Sequence, residues 1–170
     1  GSRQAWCPST PVFRERALVL VEAMAQRYRD HPALAMWHVS NELGAHNGRC
    51  YCDNSAVEFR RWLRARYGSL GRLNDAWGTA FWSQHYGDWD EILPPRLTTA
   101  GPNPTHLLDY ERFSSDELLD HFRAERDLLN RLSPGVPVTT NFMVNSHFAQ
   151  ADYWTWAPEQ DLISQDHYLD

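Results

Sequence analysis

Apolar positions recur at helical spacing over residues 12–29, where Ala17, Leu18, Val21, Met24, Ala25 and Tyr28 share one face. Thr10–Pro11 ahead of them reads as a cap followed by proline at the first helical position. His31–Pro32 stops the helix. The pattern then changes: Ala33–Ser40 is a short, mainly apolar run of strand length, which suits a buried parallel strand. Polar Asn41, Glu42 and Gly44 stand at its C-terminal end.

Ser55 with Glu58 three positions on predicts a capping box, and the helix behind it carries Phe59, Trp62, Leu63 and Tyr67 to Gly68. A shorter helix is expected over 69–77, closed by Gly78. Residues 79–104, rich in Pro, Trp and Gly, read as irregular. Leu118, Phe122, Leu129 and Leu132 stripe a long helix over 106–132, broken by Ser133–Pro134–Gly135. Strands are expected over 136–144 and 161–169, with a loop or short helix at 149–158.

Alternating β and α elements predict a parallel sheet, in which ligands sit at the C-terminal strand ends. Those ends carry Asn41–Glu42, Asn141 and Asp166–Tyr168, polar residues that a purely structural strand end does not need. No GxGxxG or P-loop follows any strand, which argues against nucleotide binding. Three strands in 170 residues cannot close a (β/α)₈ barrel, which takes about 250. The chain also lacks an initiator Met and stops within a predicted strand. The expectation is one incomplete catalytic domain over residues 1–170, truncated at both ends.

Composition narrows the class. The net charge of −6 comes without a Lys/Arg run, which disfavours nucleic acid, and no apolar stretch has membrane-spanning length. Eight Trp, seven Tyr and seven Phe suit either packing or the stacking of sugar rings. Cys7, Cys50 and Cys52 are too few and too odd for a disulfide framework, and free thiols point to the cytoplasm.

Glu42 is the central candidate. A carboxylic acid at a strand terminus below a pocket is desolvated, which keeps it protonated and able to donate to a leaving oxygen. Asn41 beside it can hydrogen-bond a sugar hydroxyl. His38 reads as a hydrogen-bonded core residue.

The segments Trp37–Glu42, Cys50-Tyr-Cys52, Phe59–Leu63 and Ala76–Gln84 resemble glycoside hydrolase family 42 β-galactosidases. Pro102-Asn-Pro104, Asp109-Tyr110, Arg112-Phe113 and Thr140–Met143 extend the likeness over nearly the whole chain. The resemblance implies a partial (β/α)₈ TIM barrel, from roughly the third helix through the sixth strand. It implies a retaining enzyme that hydrolyses terminal β-galactosides, with Glu42 as general acid/base at the end of the fourth strand. Asn41, Trp82 and Tyr168 match its substrate-binding positions. The nucleophilic glutamate belongs at the end of the seventh strand, outside this chain, so the isolated chain is expected to be inactive; Asp166 and Asp170 lie on the wrong strand to replace it.

The resemblance further implies a homotrimer and a structural zinc held by one early cysteine and a Cys-x-Cys-x-x-Cys cluster. Cys7, Cys50 and Cys52 match three of the ligands. Ser55 stands at the fourth position, so the zinc site reads as degraded. No cofactor is expected for catalysis. Competing readings are a retaining glycosidase for an arabinopyranoside or β-glucoside, a non-catalytic carbohydrate-binding module, and a metal-dependent interaction module.

Overall fold

The computed structural model describes residues 5–143 and 151–167. The elements run α1 (Pro11–Tyr28), β1 (Trp37–His38), α2 (Asp53–Tyr67), α3 (Leu70–Trp77), α4 (Pro104–Leu132), β2 (Val138–Thr139), β3 (Asn141–Met143), α5 (Tyr153–Trp156) and β4 (Ser164–Asp166). Single 3₁₀ turns lie at Phe81–Ser83, Trp89–Glu91 and Ala157–Glu159. The order is the one expected. β1 pairs with β2 and β3 with β4, both in parallel.

The chain divides into two compact units, one comprising the residues up to Arg49 with those from Ser114 on, the other Cys50–Phe113. The boundary falls within α4.

In the first unit, Trp37, Val39, Leu43, Leu118, Phe122, Val138, Phe142 and Trp156 form the core. The strands are shorter than the apolar runs suggest, because side chains take over ladder positions. Val138 N–H donates to Asp161 Oδ2 (2.8 Å) and Thr140 N–H to Gln160 Oε1 (2.9 Å). Thr139 Oγ1 donates to the Leu162 carbonyl (2.8 Å). The predicted strand 136–144 is thereby split at Thr140, its two halves bonding different partners. The face expected of α1 is covered in part: Ala25 is buried and Ala17, Leu18 and Val21 are half-buried, whereas Met24 and Tyr28 are exposed. Pro11 occupies the first turn as expected, but the Thr10 side chain makes no capping bond.

In the second unit, Phe59, Leu63, Leu73, Trp77, Ile92, Tyr110 and Phe113 pack together. α2 begins at Asp53 with Cys52 as its cap, so Ser55 lies inside the first turn and the predicted capping box does not form. A carboxylate at the first helical position complements the helix N-terminus, which accounts for the earlier start. Ser69 caps α3 by accepting from Arg72 N–H (3.3 Å), and Gly78 ends it with a left-handed φ of 62°. Asn74 organises the irregular stretch that follows. Its Oδ1 accepts from Thr79 Oγ1 (2.7 Å) and Tyr86 N–H (3.0 Å), and its Nδ2 donates to the Tyr86 carbonyl (2.9 Å).

Candidate active site

The parallel strands of the first unit bring polar residues together at their C-terminal ends. Beyond β1, Val39 N–H still donates to the Thr139 carbonyl (2.8 Å), and the chain then leaves the ladder through left-handed residues. Ser40 has φ 56°, Glu42 φ 49° and Gly44 φ 89°. Non-glycine residues adopt this region rarely and at a cost of about 1–3 kcal/mol, and they concentrate at functional sites. Three contacts hold the turn. Leu43 is buried in the core. Ala45 N–H donates to the Glu42 carbonyl (2.9 Å). Glu42 N–H donates to Asn141 Oδ1 (2.9 Å). Gly44 has no alternative: a Cβ there would stand 3.1 Å from Leu118 Cδ1, on a backbone that already disfavours one.

Glu42 itself is 5% exposed. Asn141 is the hub beside it. While its Oδ1 accepts from Glu42, its Nδ2 donates to Asp166 Oδ1 at 2.9 Å and to Asn41 Oδ1 at 3.4 Å. Asp166, at the end of β4, accepts hydrogen bonds from Asn141 and from the Glu42 carboxyl. With the nearby positive charge of His38 these hold its acid below the usual carboxylate range, against the effect of burial. Burial pushes the Tyr153 phenol up, and the charge of Glu42 adds to it. The Tyr153 hydroxyl accepts from Met143 N–H (3.0 Å) and donates to the Met143 carbonyl (3.2 Å), with its ring stacked on Phe142. Among the groups this buried carboxyl faces are a second carboxylate, neutral amides and a phenol. Such a pair holds a proton more readily than an isolated acid does.

Of the residues expected at the site, Glu42 and Asn41 lie together. Trp82 belongs to the second unit, exposed, with φ 55° and its ring stacked on Phe81 at 4.6 Å. Tyr168 falls outside the described residues. His38 is exposed rather than core, because its side chain stands on the opposite face of β1 from buried Trp37 and Val39. The aromatics divide: Trp77 and Trp156 are core, whereas Trp154 is exposed.

A sugar-sized hollow was expected over Glu42. A cavity of about 460 Å³ does open in this unit, but it is an apolar one between α1, β1 and α4, lined by Trp6, Phe13, Met24, Trp37 and His121. It reaches His38 and Ser40 and includes neither Asn41 nor Glu42. Its lining suits hydrocarbon, not a sugar's hydroxyls.

Cys7, partly buried, precedes α1 in the first unit, while Cys50 and Cys52, partly buried and exposed, lie in the second. Cys52 Sγ donates to Ser55 Oγ at 3.8 Å. Structural zinc strongly prefers four N or S ligands, and a serine hydroxyl at the fourth position of the pattern does not supply one.

Asn141, Tyr153 and Asp166 are the site residues that the sequence left unassigned. Asn141 and Asp166 carried a signal, being polar at strand ends, but nothing distinguished their partners. Tyr153 carried none.

A strained, buried carboxyl thus stands at the C-terminal edge of parallel strands in a β/α arrangement, flanked by amides that can bind hydroxyls. The glycoside hydrolase family 42 profile, described as beta-galactosidase, matches residues 1–170. The chain belongs to this family. It is 49% identical over 171 residues to the beta-galactosidase BbgII of Bifidobacterium bifidum, covering 99% of this chain and 25% of that protein. It is 48% identical over 169 residues to a beta-galactosidase of an Arthrobacter species, covering 99% of this chain and 24% of that one. The crystal structure of the beta-galactosidase from Bacillus circulans sp. alkalophilus superposes with a TM-score of 0.91 at 46% identity, over 100% of this chain and 25% of that one. The chain therefore spans about a quarter of the length of the relatives it matches.

Proposed function

We propose that this chain supplies the acid/base part of a retaining β-galactosidase and occupies the third helix through the sixth strand of a (β/α)₈ barrel. The observation that carries the reading is Glu42: buried, held in a left-handed conformation at a parallel strand end, and tied through Asn141 to a second carboxyl. Fixing an acid in a costly backbone conformation makes sense where its direction matters.

In the proposed cycle Glu42 donates its proton to the glycosidic oxygen while a carboxylate from elsewhere in the polypeptide attacks the anomeric carbon. The aglycone leaves as an alcohol and the sugar is left on that carboxylate. Glu42, now ionised, removes a proton from water as its oxygen attacks the anomeric carbon, and galactose and the free nucleophile are released. Asn41 holds a sugar hydroxyl through the transition state. Trp82 and Tyr168 contact the sugar, and the remaining walls of the pocket come from the rest of a longer polypeptide.

Two carboxyl groups about 5–5.5 Å apart, one attacking and one donating, are needed for this route. Asp166 does not serve as the attacker, because a carboxylate hydrogen-bonded to the acid competes for its proton instead of standing across a sugar. The 170 residues alone are therefore expected to be inactive. The test is Glu42→Gln in the longer polypeptide. Hydrolysis of galactosides with poor leaving groups should fall by about 10²–10⁴-fold, and azide should partly restore turnover of an activated nitrophenyl galactoside. Undiminished hydrolysis by that variant, or turnover by the 170 residues alone, would refute the assignment.

A further inference from the structure

Two carboxyls in hydrogen-bond contact cannot both be ionised without strong repulsion; one proton between them turns that repulsion into a bond. Glu42 and Asp166 are in this relation. They stand at the ends of different strands, and Asn141 spans the gap, its oxygen on the Glu42 backbone and its Nδ2 on Asp166 Oδ1, each at 2.9 Å. β3 pairs in parallel with β4 at Met143↔Asp166, which fixes Asp166 relative to Asn141 by main-chain geometry. The amide oxygen faces an N–H and the amide nitrogen faces a carboxylate, so Asn141 orients Asp166 as an acceptor.

We propose that Asp166 is the positioning residue for Glu42: its ionised carboxylate accepts the Glu42 proton in a hydrogen bond, aims the acid and keeps it protonated until a glycosidic oxygen takes the proton. This rests on Glu42 being the acid/base. Asp166 touches no reacting atom and makes no covalent bond. When Glu42 donates, the hydrogen bond to Asp166 is lost and two anions face each other. That repulsion makes Glu42 a stronger base for the water step. Among the described titratable groups are His38 from β1, which acts on Asp166, and Tyr153 from α5, which faces Glu42; Asn41 and Asn141 are neutral. Protonated His38 strengthens the anionic form of Asp166, and neutral Tyr153 leaves the charge balance unchanged.

The pH profile of kcat/KM for the longer polypeptide tests this, since its alkaline limb reports loss of the acid's proton in the free enzyme. Replacing Asp166 by Asn removes the neighbouring negative charge, so Glu42 should lose its proton more easily. The alkaline limb should move to lower pH by about one unit or more, a loss of about tenfold on the alkaline side. Asp166→Glu, which keeps the charge, should leave the limb within a few tenths of a unit. An unmoved limb in Asp166→Asn, whatever happens to kcat, overturns the proposal, because a merely structural role lowers activity without moving the limb.

The infrared spectrum gives a second reading if Asp166→Asn does not fold. The unsubstituted enzyme at pH 7 should show a protonated-carboxyl band, lowered in frequency by an anionic acceptor and missing from Glu42→Gln. Its absence from the unsubstituted enzyme overturns the proposal. The two readings fail separately: a fully active Glu42→Gln removes the acid/base assignment, whereas an inactive Glu42→Gln beside an unmoved limb removes only the role of Asp166.

Discussion

Each unit of the chain buries a carboxyl side chain among polar partners, Asp109 in the second and Glu42 in the first, and the partners differ in kind. In the second unit Asp109 is fully buried and surrounded by donors: Tyr67 Oη (2.5 Å), Trp77 Nε1 (2.9 Å), Arg112 Nη1 (3.1 Å) and Arg66 Nε (3.6 Å). All four neighbours are hydrogen-bond donors or cations, and the Tyr67 phenol is pushed up by burial and by its bond to Asp109. In the first unit Glu42 is nearly as buried, and among its neighbours are another carboxylate, amides and a phenol. Asp109 sits in a regular helix, whereas Glu42 sits on a left-handed residue. Burial alone therefore does not distinguish the two carboxyls. They differ in their partners and in the backbone, which at Glu42 is held against its preference.

The comparison breaks most visibly at Glu42→Gln. A neutral isostere keeps the shape, so stability should change by no more than about 1 kcal/mol while activity in the longer polypeptide falls about 10²–10⁴-fold. Asp109→Asn should do the reverse. With its anion gone, Arg66, Arg112, Tyr67 and Trp77 lose their common acceptor. Breaking a buried pair costs about 3–5 kcal/mol. The two arginine side chains are 41% and 45% exposed and regain water, so about 2–4 kcal/mol is expected. Urea unfolding read beside kcat separates the cases; an Asp109→Asn protein of normal stability would erase the distinction.

How far each site was legible in the sequence follows the same division. The order of elements and the parallel pairing came through because apolar runs, caps and Pro/Gly breaks are local signals. Glu42 was legible as the second polar position after a mainly apolar run. Its partners were not, because they lie far off in sequence: 99 positions separate it from Asn141, and Asn141 from Asp166 another 25. Asp166 is visible at a strand end, on the wrong strand for the expected nucleophile, and nothing local marks its bond to Asn141. The helix start misplaced at Ser55 shows a local signal losing to a better one, since Asp53 offers a full charge to the helix end. Strand lengths misled because Gln160 and Asp161 take ladder positions that no periodicity reveals.

A smaller effect separates structural charge from catalytic charge within the first unit. Glu159 accepts from Arg123 Nη2 (2.6 Å) and from Arg126, and these two hydrogen bonds hold its acid at about 2, below its ordinary 4.5. Its folded pKa is depressed, so the stabilisation is fully present above about pH 4.5 and is lost as pH falls toward about 2. The groups are partly exposed, at 25% for Glu159 and 39% and 18% for the arginines, so solvent screening leaves about 1–2 kcal/mol. Glu159→Gln should lower stability by that amount at pH 7 and by almost nothing at pH 2, with no shift in the alkaline limb of kcat/KM. A moved limb would mean that this cluster reaches the Glu42 proton.

The smallest stability effect belongs to Trp82, and there the comparison is between packing and binding. Its ring is 66% exposed, with one stacking partner, Phe81. Trp82→Ala should therefore change unfolding stability by only about 0.5 kcal/mol. The left-handed backbone at φ 55° is as costly for alanine as for tryptophan, so the substitution gives no relief. A large aromatic held in water on a strained backbone gains little for the fold. Stacking against a sugar ring would give it a use, and losing about 1 kcal/mol of such contact raises KM about fivefold with kcat nearly unchanged. An unchanged KM for a nitrophenyl galactoside would remove Trp82 from the sugar site and leave the acid pair at Glu42 untouched.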